Sequence, residues 1–205
     1  MVSERYYIDV NRPPDEDARA IAELIVQLGR STHDYVEGLS PAQWNVLRFM
    51  SRANQFSRTV SAFAEFHGTT RGTASQTVKS LVSQGYLSRT KSKRDGRSVI
   101  FDLTEKGRAV LSRDPCSALV TAAAELPATT RTQLTNGLER LLGRLAQTTN
   151  VRPFGACGDC AHVASPAAPK GNTRRLECEL RSEALDEAAL TQTCINFRPG
   201  KKQAR

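Results

Sequence analysis

TTRGTASQTVKSLVSQGYLSRTKSKRDGRSVIFDL, residues 69–103, changes its periodicity twice, and that double change decides the fold. From Thr70 the apolar residues Ala74, Val78, Leu81 and Val82 fall on one helical face, with Thr70 as the cap. Gly85 stands where a helix ends on a left-handed residue. Tyr86-Leu87 then opens a strand, and Lys93-Arg94-Asp95-Gly96-Arg97 holds the Asp-Gly hairpin signal. Val99, Phe101 and Leu103 alternate on the return strand. Just upstream, Thr59 to Phe66 reads as a short helix with Val60, Phe63 and Phe66 apolar, and His67-Gly68 breaks it. Helix, tight glycine turn, helix and two-stranded ribbon (about 87–103) together make a winged helix-turn-helix.

Working outward, Ser40-Pro41 starts a helix with Trp44, Val46, Leu47 and Met50 apolar. Before it, Asp15, Glu16 and Asp17 crowd a first turn, and Ala18, Ile21, Leu24, Ile25, Leu28 and Tyr35 recur at helical spacing. After the ribbon, helices are expected over 104–111, 115–125 and 130–147. Leu134, Leu138, Leu141, Leu142 and Leu145 form a stripe too apolar for one exposed helix, so it wants a core or a partner chain. The expected fold is mostly α with a small β wing. An arm (1–14) precedes a DNA-binding and dimerisation domain (15–150). A cysteine-rich extension (151–198) and a basic, disordered tail (199–205) follow.

The 205 residues are 39% hydrophobic and 24% charged, enough for a folded domain plus an appendage. The net charge of +8 and a pI near 9.6 favour a polyanionic partner. No apolar run approaches the ~18 residues of a membrane span. The start, MVSERYYIDV, lacks a secretory pattern, so a cytoplasmic location without a membrane partner is expected. No phosphate-binding loop, dinucleotide fingerprint or H-E-x-x-H occurs, and the 3 histidines are scattered, so no enzyme is expected. The distant alternative is a thiol oxidoreductase using Cys157-Gly-Asp-Cys160, although the preceding VRPFGA is not the strand that such motifs follow.

A helix fits the major groove and offers side chains to base edges. Arg71, Gly72, Ser75, Gln76 and Lys79 face away from the apolar stripe. Arg71 can donate bidentately to guanine, Gln76 can pair with adenine, and Gly72 allows close approach of the backbone to a duplex. Thr70 and Thr73 can donate to phosphates. The ribbon sets Arg89, Lys91, Lys93, Arg94 and Arg97 against the single acid Asp95, which suits phosphates and a narrow minor groove.

Three segments carry a resemblance: LSPAQWNVLRFM (39–50), TTRGTASQTVKSLVSQGYL (69–87) and RDGRSVIFDLTEKGR (94–108). Residues 15–148 resemble the MarR family of dimeric winged-helix regulators. The resemblance implies a homodimer with intertwined first and last helices, two recognition helices on a pseudo-palindromic operator, and a wing in which Arg97, two after Asp95, reaches the minor groove. It also implies a transcriptional regulator, a repressor, relieved by a small molecule or by cysteine oxidation. The chain departs from the family in its tail.

That tail reads Cys157-x2-Cys160-x17-Cys178-x15-Cys194. Four thiolates suit tetrahedral zinc or an iron–sulfur cluster. A pair followed by two distant singles is similar to [4Fe–4S] domains, so the cluster is the first expectation, zinc the second and a redox dithiol the third. Gly155, Gly158 and Ala161 are small and leave backbone N–H groups free to donate to cluster sulfurs. His162 reads as a neighbour of the centre rather than a ligand, Cys116 as a small buried hydrophobe, His33 and His67 as isolated, and Trp44 as core. The metal centre is expected beside the dimer helices, sensing redox or iron state by changing the spacing of the reading heads. The alternative is a ligand-responsive regulator with a structural zinc.

Overall fold

The computed structural model describes residues 16–30, 37–91, 98–149, 152–164 and 176–200. Helix α1 (Glu16–Arg30) stands ahead of the winged-helix unit. Helix α2 (Pro41–Arg52) begins with a reciprocal cap: Gln43 N–H donates to Ser40 Oγ at 3.3 Å and Ser40 N–H donates to Gln43 Oε1 at 2.8 Å. Helix α3 (Val60–Phe66) is capped by Thr59, and Gly68 turns the chain at φ +61° toward α4 (Arg71–Ser83). Thr70 caps α4 as its spacing predicts, and Gly85 at φ +76° lets the chain leave it. Strands β1 (Leu87–Lys91) and β2 (Val99–Leu103) pair antiparallel, Leu87 opposite Leu103.

Trp44, Val46, Leu47 and Met50 of α2 meet Phe63, Ala74, Val78, Leu81 and Phe101 in one buried core. Trp44 is fully buried, as expected. Helix α5 (Glu105–Leu111) starts on Thr104, whose Oγ1 accepts from Gly107 N–H at 3.0 Å and donates to Gly85 O at 2.7 Å. Gly107 rides so close to the Tyr86 carbonyl that no Cβ fits between them. Arg48 grips Asp114 with Nε 2.9 and 2.8 Å from its two oxygens, tying α2 to the start of α6 (Cys116–Glu125). Cys116, expected as a small buried hydrophobe, is only half-buried; it stands at the first position of α6, where its backbone N–H donates to Asp114 Oδ1 at 2.8 Å.

Helix α7 (Ala128–Thr148) follows, with no residue of it or of α1 buried. Leu142 is 67% exposed and Leu24 57%. The stripes expected at 18–36 and 134–145 are thus uncovered in the single chain where they are described.

The tail packs on the winged-helix unit. Strand β3 (Gly155–Ala156) pairs with β7 (Thr193–Cys194), and β4 (Val163–Ala164), β5 (Leu176–Cys178) and β6 (Glu183–Leu185) form a small antiparallel sheet. A 3-10 turn spans Cys157–Asp159, and α8 covers Glu187–Leu190. Phe154 and Ile195 pack on the winged-helix core, and Phe154 meets Phe66 with ring centroids 5.0 Å apart. Arg152 Nε reaches Glu65 Oε1 at 3.1 Å. The cysteines therefore stand against the corner between α2 and α3. A segment too small to bury its own core takes apolar surface from the winged helix. Among the described residues no helix is long and apolar enough to cross a membrane.

Candidate nucleic-acid interface and thiol cluster

The apolar face of α4 is consumed by the core, so its other face is what the fold presents outward. Arg71, Gly72, Thr73, Gln76 and Lys79 are exposed and Ser75 is half-buried. Thr70 Oγ1 accepts from Thr73 N–H at 3.1 Å and lies 2.9 Å from Thr73 Oγ1, so its first duty is the cap. A Cβ at Gly72 would meet nothing nearer than Thr70 Oγ1 at 3.7 Å; internal packing does not demand glycine there.

On the ribbon, Arg89 lies opposite Phe101 and Lys91 opposite Val99, both cations exposed. Lys93, Arg94, Asp95 and Arg97 fall outside the described residues. Between α4 and the ribbon runs an open cleft of about 670 Å³, lined by Ser75, Lys79, Val82, Arg89, Val99 and Phe101 among others. Helix and wing thus place cations on one concavity.

The α2–α3 corner, 53–58, holds both the ribbon and the tail. Arg58 Nε donates to Ala53 O at 2.9 Å, and its guanidinium pairs with Asp102 of β2 at 2.5 Å. Phe101 N–H donates to Arg58 O at 2.9 Å. On the other side, Asn54 N–H donates to Thr193 O at 2.9 Å and Ile195 N–H donates to Ser57 Oγ at 2.8 Å. Ser57 Oγ in turn donates to Asn54 Oδ1 at 2.8 Å, and both residues are buried. Nothing in the sequence marks Asn54 or Ser57 as more than turn residues; their partners are far away in the chain.

Cys157, Cys160, Cys178 and Cys194 line one narrow cavity within a single chain, and all four thiols are free. Among the described residues no three His, Cys, Asp or Glu side chains are already gathered closely enough to hold one ion. Asn54 Nδ2 donates to Cys157 Sγ at 3.7 Å, and Asn196 N–H donates to Cys194 Sγ at 3.3 Å. A hydrogen bond between the Cys157 and Cys194 thiols raises the pKa of the first and lowers that of the second. His162 is half-buried on the cavity wall. Two buried donors, Asn196 Nδ2 and Arg181 Nε, have no hydrogen-bond acceptor among the described residues, and both residues line this cavity.

Two expectations need correction. Ala161 N–H donates to Arg198 O at 2.8 Å, because the chain's end pairs beside it, so it is not free for a sulfur. Gly155 is small for another reason: a Cβ there would stand 2.6 Å from the Phe197 ring. The Cys157-Gly-Asp-Cys160 step opens a single 3-10 turn, not an α-helix whose dipole would activate a thiol. His67 is not isolated. Its ring lies 4.7 Å from that of Phe63 and 5.1 Å from that of Phe66. Desolvation there and the Arg48 charge lower its pKa, against a hydrogen bond with the Asn45 backbone. His33 lies outside the described residues.

Residues 37–98 match the family model described as MarR family. Among solved structures, the chain is similar to a MarR transcriptional regulator from Methanosarcina mazei Go1 (21% identity, 64% of this chain and 99% of that one, TM-score 0.53). It is similar also to a MarR/EmrR family transcriptional regulator from Acinetobacter sp. ADP1 (22%, 65% and 99%, TM-score 0.52). A third is CouR from Rhodococcus jostii RHA1 bound to p-coumaroyl-CoA (19%, 62% and 92%, TM-score 0.50). Comparison with curated protein sequences gave no match. Residues 37–98 thus match the MarR family, and the chain carries the MarR-like winged-helix fold.

Proposed function

We propose that the protein is a MarR-type transcriptional regulator, a repressor that binds double-stranded DNA as a homodimer. The observation that carries this reading is the exposed polar and basic face of α4, whose Lys79 shares one cleft with Arg89 of β1. Arg71, Gln76, Lys79 and Ser75 read base edges, while Thr70, Thr73 and the wing cations engage the backbone. Gly72, unneeded by packing, leaves room for a phosphate. The uncovered leucines of α7 and the apolar face of α1 supply the dimer contact. A twofold axis then spaces the two α4 helices about 34 Å apart along a pseudo-palindromic operator.

The effector centre in this reading is the cysteine cavity, holding a [4Fe–4S] cluster that answers to redox or iron state. A second reading has a small organic effector, with zinc bracing the tail. It is favoured by the size of the α4–ribbon cleft, about 670 Å³, within the range of ligand pockets. It is supported also by the acyl-CoA in the structure of the R. jostii protein.

The test is selection of duplexes from a random library by the anaerobically purified chain, followed by gel shift and sedimentation. A dimer retaining a palindromic site is expected. A monomer with no preference for any duplex over heparin would overturn the proposal.

A further inference from the structure

We infer that Cys157, Cys160, Cys178 and Cys194 of one chain form a thiolate metal centre whose occupancy orders the α2–α3 corner and, through it, the wing. The effect on an operator rests on the function proposed above; the site and its coupling to the corner do not.

Residues 37 positions apart in sequence converge on a single cavity, and each contributes the same soft ligand atom. Four thiols in a small fold without disulfides fit a thiophilic metal, either one Zn(II) or an iron–sulfur cluster. Zn–S bonds of about 2.3 Å would require the thiols to swing inward from their present positions.

The second observation is independent of the cysteines. Buried donors without acceptors are rare, and each calls for an explanation, such as an ion. Asn196 Nδ2 and Arg181 Nε are two such donors on the same wall. Neutral thiols are weak acceptors. A metal–thiolate centre carries negative charge on its sulfurs and is held by donors of this kind. Asn54 Nδ2 and Asn196 N–H already point at two of the sulfurs. A cavity meant only as an apolar plug would not be ringed by amide and guanidinium groups.

Occupancy would be felt first at Asn54 and Ser57, because they bond to β7 and the residue after it as well as to each other. Arg58 then passes the constraint to Asp102 and Phe101 of β2. The path from sulfur to wing crosses only this six-residue corner, without passing through α7.

The test uses the full chain, purified anaerobically and compared with its chelated form and with chelated protein reloaded with zinc or with iron and sulfide. Metal and sulfide are assayed per chain, and hydrogen exchange is read at 53–58 and 99–103. Loading is expected to reach one centre per chain and to slow exchange at both segments about 5- to 150-fold, the usual range of coupling. Zinc without sulfide identifies the single ion; iron with sulfide identifies the cluster. The Cys160→Ser, Cys178→Ser double variant should lose both binding and protection. Arg58→Ala should load fully, yet leave 99–103 unresponsive. Failure to load under every condition, or half a centre per chain, overturns the single-chain site. Full loading with unchanged exchange at 53–58 overturns the coupling. Duplex selection with the same samples separates the two proposals: a loaded, protected chain that selects no duplex sinks the regulator reading alone.

Discussion

Asn54 Nδ2 donates to the Cys157 sulfur at 3.7 Å across 103 positions of sequence, and the same side chain accepts from Ser57 Oγ through Oδ1. One buried amide thus serves the tail and the helix-turn-helix together. Asn54→Leu keeps the branched shape, removes the amide and strands its partners. A loss of about 1–3 kcal/mol in urea unfolding is expected. An unchanged midpoint would show that the tail only rests on the corner.

Gly107→Ala should destabilise the chain by about 1–3 kcal/mol, because the Tyr86 carbonyl occupies the space of a Cβ. Thr104→Ala removes the cap beside it and should cost about 1 kcal/mol. Thermal melts of the two variants against the parent check both values.

DNA binding should divide by residue. Arg71→Ala and Gln76→Ala should each cost about 1–3 kcal/mol at particular base pairs. Arg97→Ala should weaken all sites alike and reduce the salt slope by about one unit. Affinities at several salt concentrations on matched and mutated duplexes distinguish the two patterns. If Arg97→Ala leaves the slope and affinity untouched, the wing does not contact the duplex.

Stability should fall with pH in two stages. His67 has a folded pKa below its ordinary 6.5. The unfolded chain therefore binds that proton first, and stability declines as pH drops below 6.5, continuing toward the folded value. His67→Phe should flatten this stage. Burial raises the Asp114 carboxyl, but Arg48, the Cys116 N–H and Arg52 outweigh it and hold it below 3.8. Its contribution is present above 3.8 and is lost as pH falls through the folded value. Asp114→Asn should remove this second stage, as followed by denaturant midpoints from pH 8 to 3.

Leu138→Lys with Leu142→Lys places charges in the middle of the exposed α7 stripe. Sedimentation should then report a monomer, with duplex affinity falling because one head binds alone. A dimer that persists would move the interface elsewhere.

Local signals were legible in the sequence wherever cause and effect are neighbours. Ser40 and Thr70 cap the helices that follow them, and Gly85 takes the left-handed turn its position requires. The alternation of 99–103 appears as β2. The outward face of α4 was legible because Ala74, Val78 and Leu81 define the inward one. What was not legible depends on long-range return. Asn54 looks like any turn residue until Cys157 and Thr193 arrive beside it. Glycine and alanine around the cysteines suggested free amides, yet Arg198 takes one and the Phe197 ring explains another. The spacing of the cysteines likewise gives no hint that Phe154 and Ile195 pack on the winged-helix core and that Cys157 meets Asn54 there.

The edge-to-face contact of Phe154 with Phe66 has a practical consequence for dissecting this chain. Phe66 is still 44% exposed with that ring in place. Proteolysis after Thr149 would strip away its cover and also leave Glu65 without Arg152. The trimmed fragment should be stickier and shorter-lived than the whole. Poor operator retention by such a fragment would then report spoiled solubility, not the missing thiols.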